Sequence, residues 1–373
     1  MNIKTVLKTS VAAAALVAIS APAIVSQAEA GVNNGNKNSL VMSGQIARAL
    51  VYQDDGNSSQ LFNVDGVDTS TRIRWIVSGQ MTESVAVGGV VELNMARSNV
   101  LGSAALGNTA ETNADAVWGF RKTEVTFSHK AYGKLSLGQS SIAGDGTSTQ
   151  SFASLGPSMS ANGVSAMGAS TFFNDTTKTQ STVGTAALGG FDPTREDRIR
   201  YDTPSFGGLK LAVSHQDNGQ SVGANYGGKF GGVQVGIGAF YENTAAGSTT
   251  VDASMGGSVA VKHDSGLSAA FSYTKEDAST GNNIEGKNWN VQVGYAAQLT
   301  NLGTTGFGII YNETEDGVAN GDEGDSWSIA VNQNISSVGA DIYAGYTRAT
   351  YDDATANNFD DFSAVFAGTR LNF

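Results

Sequence analysis

From residue 40 to its last residue the chain returns repeatedly to strict alternation of apolar and polar side chains, which narrows its possible folds more than any other feature. In SVAVGGVVELNMAR (84–97), Val85, Val87, Gly89, Val91, Leu93 and Met95 fall on one side, with Glu92 and Asn94 on the other. GVQVGIGAFYEN (232–243) and KNWNVQVGYAAQL (287–299) repeat the pattern. A helix would space its apolar positions by three and four, so these segments are strands. They run to about 9–13 residues, beyond the roughly 5–6 usual in soluble sheets and matched to the roughly 9–11 that a tilted strand needs to cross a bilayer. The alternation holds through VFAGTRLNF (365–373). Chain ends normally fray into polar residues. One that stays a strand must be paired, because an open edge would present bare N–H and C=O groups to hydrocarbon.

Composition fits a membrane solution of this kind. No stretch after residue 30 approaches the roughly 20 consecutive apolar residues of a membrane helix, whereas a closed barrel needs only every second residue apolar. Glycine (47) far outnumbers proline (4), and there is no cysteine, so disulfides and thiolate metal sites are excluded. Residues 1–30 read as a secretory signal: Lys4 and Lys8 precede the apolar VAAAALVAIS, and Ala28 and Ala30 give a small-x-small cleavage pattern. The barrel would then occupy 31–373. The net charge is −12 before cleavage, and an acidic exported chain is unsuited to nucleic acid, whose affinity depends on basic residues.

The connections alternate as well. MTE (81–83), AYG (131–133), SFGG (205–208), DSG (264–266) and SSVG (336–339) read as tight turns. Longer acidic or Gly/Asn-rich loops are expected at 54–69, 98–116, 277–286, 315–325 and 351–361. Short turns on one rim and longer loops on the other are the pattern of an outer-membrane barrel, here all-β, antiparallel and of about 16 strands. Aromatic residues near strand ends suit the two lipid–water interfaces: Tyr52, Trp75, Trp118, Tyr132, Tyr201, Tyr241, Tyr273, Trp289, Tyr311, Trp327, Tyr351 and Phe373.

Three stretches carry a family resemblance. DRIRYDTPSFGGLKLAVSH (197–215) is similar to a strand–turn–strand of the trimeric 16-stranded general-diffusion porins of Gram-negative bacteria. FRKTEVTFSHKAYGKLSLGQ (120–139) resembles the hairpin that precedes their long third loop, with His129 and Gln139 where the family often has Gly and Arg. AGTRLNF resembles the C-terminal signal, ending here in Leu371 and Phe373, that such porins present to the barrel-assembly machinery. The resemblance implies a homotrimer in outer-membrane lipid and lipopolysaccharide, without cofactor or metal, passing small hydrophilic solutes and ions. It also implies that residues 143–196 fold inward as a constriction loop, which gives so long a segment a functional reason. On the family's pattern, wall charges would face loop acids. The matching wall positions are Arg72, Arg74, Lys122, Arg198, Arg200 and Asp202, with Glu124 at a position that is usually arginine; the loop acids are Asp145, Asp175 and Asp192.

Other classes fit less well. His129, His215 and His263 are scattered, and no nucleophile, zinc or phosphate-loop motif marks an enzyme. An exported adhesin or solenoid would show a constant repeat, which is missing. A substrate-selective channel would call for an aromatic slide or a lysine-rich loop, whereas 143–196 holds Lys178 and the pair Phe172–Phe173. Acids crowd the long-loop rim at Asp54, Asp55, Asp65 and Asp68, at Glu313, Glu315, Asp316, Asp322, Glu323 and Asp325, and at Asp352, Asp353, Asp360 and Asp361. The expectation is mild cation selectivity. No loop has calcium-site spacing.

Overall fold

The structure, a computed structural model, describes residues 38–95, 118–161, 171–182, 190–217, 219–244, 251–279, 284–355 and 357–373. The predicted signal and the 98–116 loop lie outside the described residues. Strand β1 (Ser39–Asp54) pairs along its upper half with β2 (Ser59–Val64) and along its lower half with β3 (Arg72–Gln80). These two pieces share one position in the wall. The sheet continues through β4 (Val85–Asn94), β5 (Gly119–His129) and β6 (Gly133–Ser141), and a hairpin, β7 (Thr171–Asn174) and β8 (Thr179–Thr182), stands apart from it. It resumes with β9 (Arg195–Asp202), β10 (Leu209–Gln216), β11 (Gly219–Phe230), β12 (Val233–Asn243), β13 (Val251–His263) and β14 (Leu267–Ala278). It ends with β15 (Lys287–Thr300), β16 (Gly303–Glu315), β17 (Glu323–Ile335), β18 (Ala340–Asp352) and β19 (Phe362–Asn372). Each neighbouring pair is antiparallel, and β19 closes on β1 from Gln45↔Asn372 to Asp54↔Ser363. The result is a closed 16-stranded barrel.

Closure reaches the last residue. Phe373 N–H donates to the Gly44 carbonyl (3.0 Å), and Gly44 N–H donates to that of Phe373 (2.8 Å). The phenylalanine ring lies against Gly44, where an added Cβ would come within 2.7 Å of it. On the other rim, the expected 54–69 loop is interrupted by strand: β2 extends the first hairpin, and the longer break is 65–71. There the Asp65 carboxylate accepts the Thr71 N–H (2.8 Å) and hydroxyl (2.9 Å), replacing ladder bonds.

Outward residues are apolar and exposed, as lipid contact requires: Val291, Val293 and Tyr295 on β15, Phe307 and Ile309 on β16. Toward the long-loop rim, the outward rings Trp289 and Tyr311 pack at 5.4 Å and Trp327 and Tyr346 at 5.1 Å. Tyr351 corrects the girdle assignment. It shares the inward face of Tyr343 and is buried (7% exposed), so Tyr346 is the interfacial ring of β18.

The inward faces divide in two. On β10, β12 and β14 to β17 every second residue is buried, while on β3 to β5 the inward side chains are mostly half-exposed. Something covers one half of the wall and leaves the other to water.

Candidate pore constriction

The cover is the segment after β6. Its backbone runs along the inner wall from strand to strand. Ala143 N–H donates to Ser214 Oγ of β10 (2.9 Å) and Gly144 N–H to Ser221 Oγ of β11 (3.0 Å). Ser258 of β13 donates its hydroxyl to the Thr147 carbonyl (2.7 Å) and accepts the Gln150 N–H (3.1 Å). Gln292 of β15 donates to the Ser160 carbonyl (3.0 Å). So close an approach requires small inner-face residues. A Cβ on Gly238 would lie 2.0 Å from the Thr147 carbonyl oxygen, and one on Gly306 2.3 Å from that of Ser154. The glycines of these strands are therefore a track for the loop backbone.

The loop is held at both ends. At its root, Arg198, buried on β9, pairs with Glu124 and donates to the Gly138 (2.9 Å) and Ser141 (3.2 Å) carbonyls. Arg200 donates to the Ile142 carbonyl (2.6 Å) and pairs with Asp202 (2.7 Å). Asp192, on the returning limb, accepts the Gly146 N–H (3.1 Å), the Ser148 N–H (3.3 Å) and the Ser148 hydroxyl, bracing one limb against the other. At the far end Met159 and Phe172 enter an apolar cluster with Tyr343, Tyr351, Phe362 and Phe366, the inward residues of β18 and β19.

Opposite the loop stands a patch of charge on β3 to β5. Glu92 of β4, almost fully buried, receives Arg121 (2.8 Å) and Arg74 (3.5 Å). Alternation would send Arg121 to lipid. A bulge prevents this: Glu92 pairs with Lys122 and Leu93 with Phe120, leaving Arg121 as the extra residue, which turns inward to Glu92. Arg195, at the first position of β9, reaches Asp145 of the loop (3.8 Å). Burial holds the Asp145 carboxyl above the ordinary carboxylate range, despite a hydrogen bond to Ser141 and the nearby Arg195, Lys122 and Arg200. Burial also pushes Asp192 up to about 6, against the Ser148 hydroxyl.

Of the residues singled out in the sequence, Arg72, Arg74, Lys122, Asp145 and Arg200 converge on this region. Arg198, Glu124 and Asp192 are staples of the loop, with little water contact. Asp175 lies elsewhere, at the β7–β8 turn, paired with Lys178. Sequence reading missed Arg121, Arg195 and the role of Glu92. Glu92 had a signal, an acid on the inward face between apolar neighbours. Arg121 had none, because a bulge breaks the parity on which the prediction rests.

A closed 16-stranded barrel with a loop laid along its inner wall and charges on the uncovered strands is a channel architecture. The Gram-negative porin family matches residues 12–354. The chain belongs to that family. The porin is accordingly a non-enzymatic channel of the Gram-negative outer membrane. No curated protein matches it. Among solved structures, it resembles the anion-selective porin of Comamonas acidovorans at 16% identity and TM-score 0.61, over 90% of this chain and 100% of that one. It resembles the trimer form of OmpT from Vibrio cholerae at 14% identity and TM-score 0.56, over 91% and 100%. OmpF of Salmonella typhi, in complex with daunomycin, matches at 14% identity and TM-score 0.56, over 90% and 98%. At these identities the likeness is one of fold.

Proposed function

We propose that this porin is a general-diffusion channel, a water-filled passage for small hydrophilic solutes and ions, narrowed by residues 143–196 and mildly cation-selective at low salt. The observation that carries this is the asymmetric wall. Water reaches the basic groups of β3 to β5, while the inward aromatic rings Phe240, Tyr343, Tyr351, Phe362 and Phe366 are buried and offer no greasy track to a sugar. The acidic long-loop rim enriches cations over about one Debye length, roughly 10 Å at 0.1 M salt and roughly 3 Å at 1 M. A second reading is favoured by the bulge. Arg121 and Arg195 join Arg72 and Lys122 at the constriction, giving the wall more basic groups than the adjoining Glu92 and Asp145 balance, which would prefer anions.

Reversal potentials in a KCl gradient at low and high salt decide between them. A cation-favouring potential that fades with salt supports the rim, and an anion-favouring one at both gives control to the wall. Shortening the loop within 150–190 should raise single-channel conductance and admit larger sugars; unchanged conductance in an intact barrel would place the constriction elsewhere.

Within the same reading, the porin is a homotrimer, inserted by the barrel-assembly machinery and surrounded by lipopolysaccharide. Arg48 supports the trimer: it points outward from the middle of β1, bonded to Asn63 (2.6 Å) and near Asp65 (3.7 Å), a poor surface for lipid.

A further inference from the structure

We infer that the last long loop, between β18 and β19, is a clasp that positions the constriction loop and so helps set the pore's cross-section. The inference rests on the reading of 143–196 as the constriction. The joined residues Thr176 and Asn358 are 182 positions apart in sequence, yet the two segments join through backbone. Asp175 N–H donates to the Asn358 carbonyl (2.7 Å), and Asp360 N–H donates to the Phe173 carbonyl (2.9 Å). Asn358 N–H donates to Thr176 Oγ1 (3.0 Å), and Asn174 bridges to Phe359 in antiparallel register. Residues 358–360 thus join β7 of the hairpin through a single antiparallel bridge.

Side chains lock the join from below. Phe172, with no exposed surface, packs at 5.9 Å from Tyr351 and 6.2 Å from Phe362, the residues that flank the clasp on β18 and β19. Phe359 meets Tyr351 edge-on at 5.1 Å. The Tyr351 hydroxyl donates to Asp322 (3.0 Å), whose carboxylate also accepts the Gly317, Val318 and Ala319 N–H groups. The β16–β17 loop therefore backs the same point.

A constriction loop tied only at its root would swing about β6 and β9. This one is tied at both ends, and one of the backbone hydrogen bonds of its far tie, from Asp360 to Phe173, can be removed by a single substitution. Such a bond contributes on the order of one or two kcal/mol, so its loss should raise the undocked fraction roughly five- to thirty-fold.

The test is Asp360→Pro, which deletes the donor to Phe173, beside Asp360→Asn, which keeps the N–H and loses only the charge. In planar bilayers the proline variant should show more open-channel noise and brief closures, with a changed sugar size limit in liposome swelling, while the asparagine variant stays close to the parent. Barrel integrity is checked by heat-modifiable migration. Parent-like noise and size limit in an intact proline variant would overturn the clasp. If loop shortening alone alters conductance, the constriction reading survives without the clasp; if neither change has an effect, the constriction reading fails too. Should the proline variant not assemble, hydrogen exchange on the unmodified porin gives the answer: the Asp175 and Asp360 amides should be protected and open together, and free exchange at Asp360 would refute the inference.

Discussion

At the residue scale, two positions show how backbone geometry assigns a role that side-chain type does not. Phe373 contributes one outward ring, worth on the order of 1.5–3 kcal/mol of burial, but its backbone also completes the β1–β19 seam at Gly44. Deleting Phe373 should sharply lower the amount of assembled barrel in cells, measured as heat-modifiable protein in outer-membrane fractions. Gly44→Val should impair assembly in the same direction, because its side chain would collide with the ring and with the Arg72 carbonyl. Normal insertion of both variants would remove Phe373 from any special place in assembly. Arg121 and Glu92 form the second case. Arg121→Gln removes a positive charge from the constriction and should move the reversal potential toward cations, while Glu92→Gln should move it toward anions. The two shifts should have opposite sign in the same KCl gradient, and shifts of equal sign would mean that the pair lies off the ion path.

At the scale of elements, the loop after β6 is a second polypeptide layer laid inside the barrel, and burial raises two of its acids, Asp145 and Asp192. Asp192 is raised to about 6, so it takes up a proton as pH falls from about 7 to about 5, and Asp145, also raised by burial, changes in the same direction. The constriction therefore gains positive charge on acidification, and any cation preference should weaken, read as a reversal potential at fixed salt gradient. Asp192→Asn, whose single amide oxygen can keep the two Ser148 bonds but not the Gly146 bond to the other carboxylate oxygen, should reduce this pH dependence. A shift toward cations on acidification would contradict the assignment. The loop also shows what alternation conveys: it places Ser214, Ser221, Ser258 and Gln292 on the inward face, but nothing in their spacing reveals that loop backbone, rather than water, is their partner.

At the scale of the whole molecule, an outward arginine on β1 and a barrel whose first and last strands meet beside it make a trimer the expected assembly. Mass measurement in mild detergent should give three chains, and a stable monomer would count against it. The sequence by itself determined the barrel. In a bilayer every backbone polar group must pair, so alternation over membrane-crossing lengths, carried to a terminal phenylalanine, leaves a closed antiparallel sheet as the solution. It also made most wall charges legible, because period two assigns a face to each residue of a regular strand. Tertiary structure alone decided the rest. The bulge at Arg121 reverses a parity, Tyr351 turns inward to meet Phe172, and Arg198 and Glu124 are drawn out of the channel to hold the loop root. Each depends on contacts between segments distant in the chain, where packing and hydrogen bonding at the meeting point, not local periodicity, set the geometry.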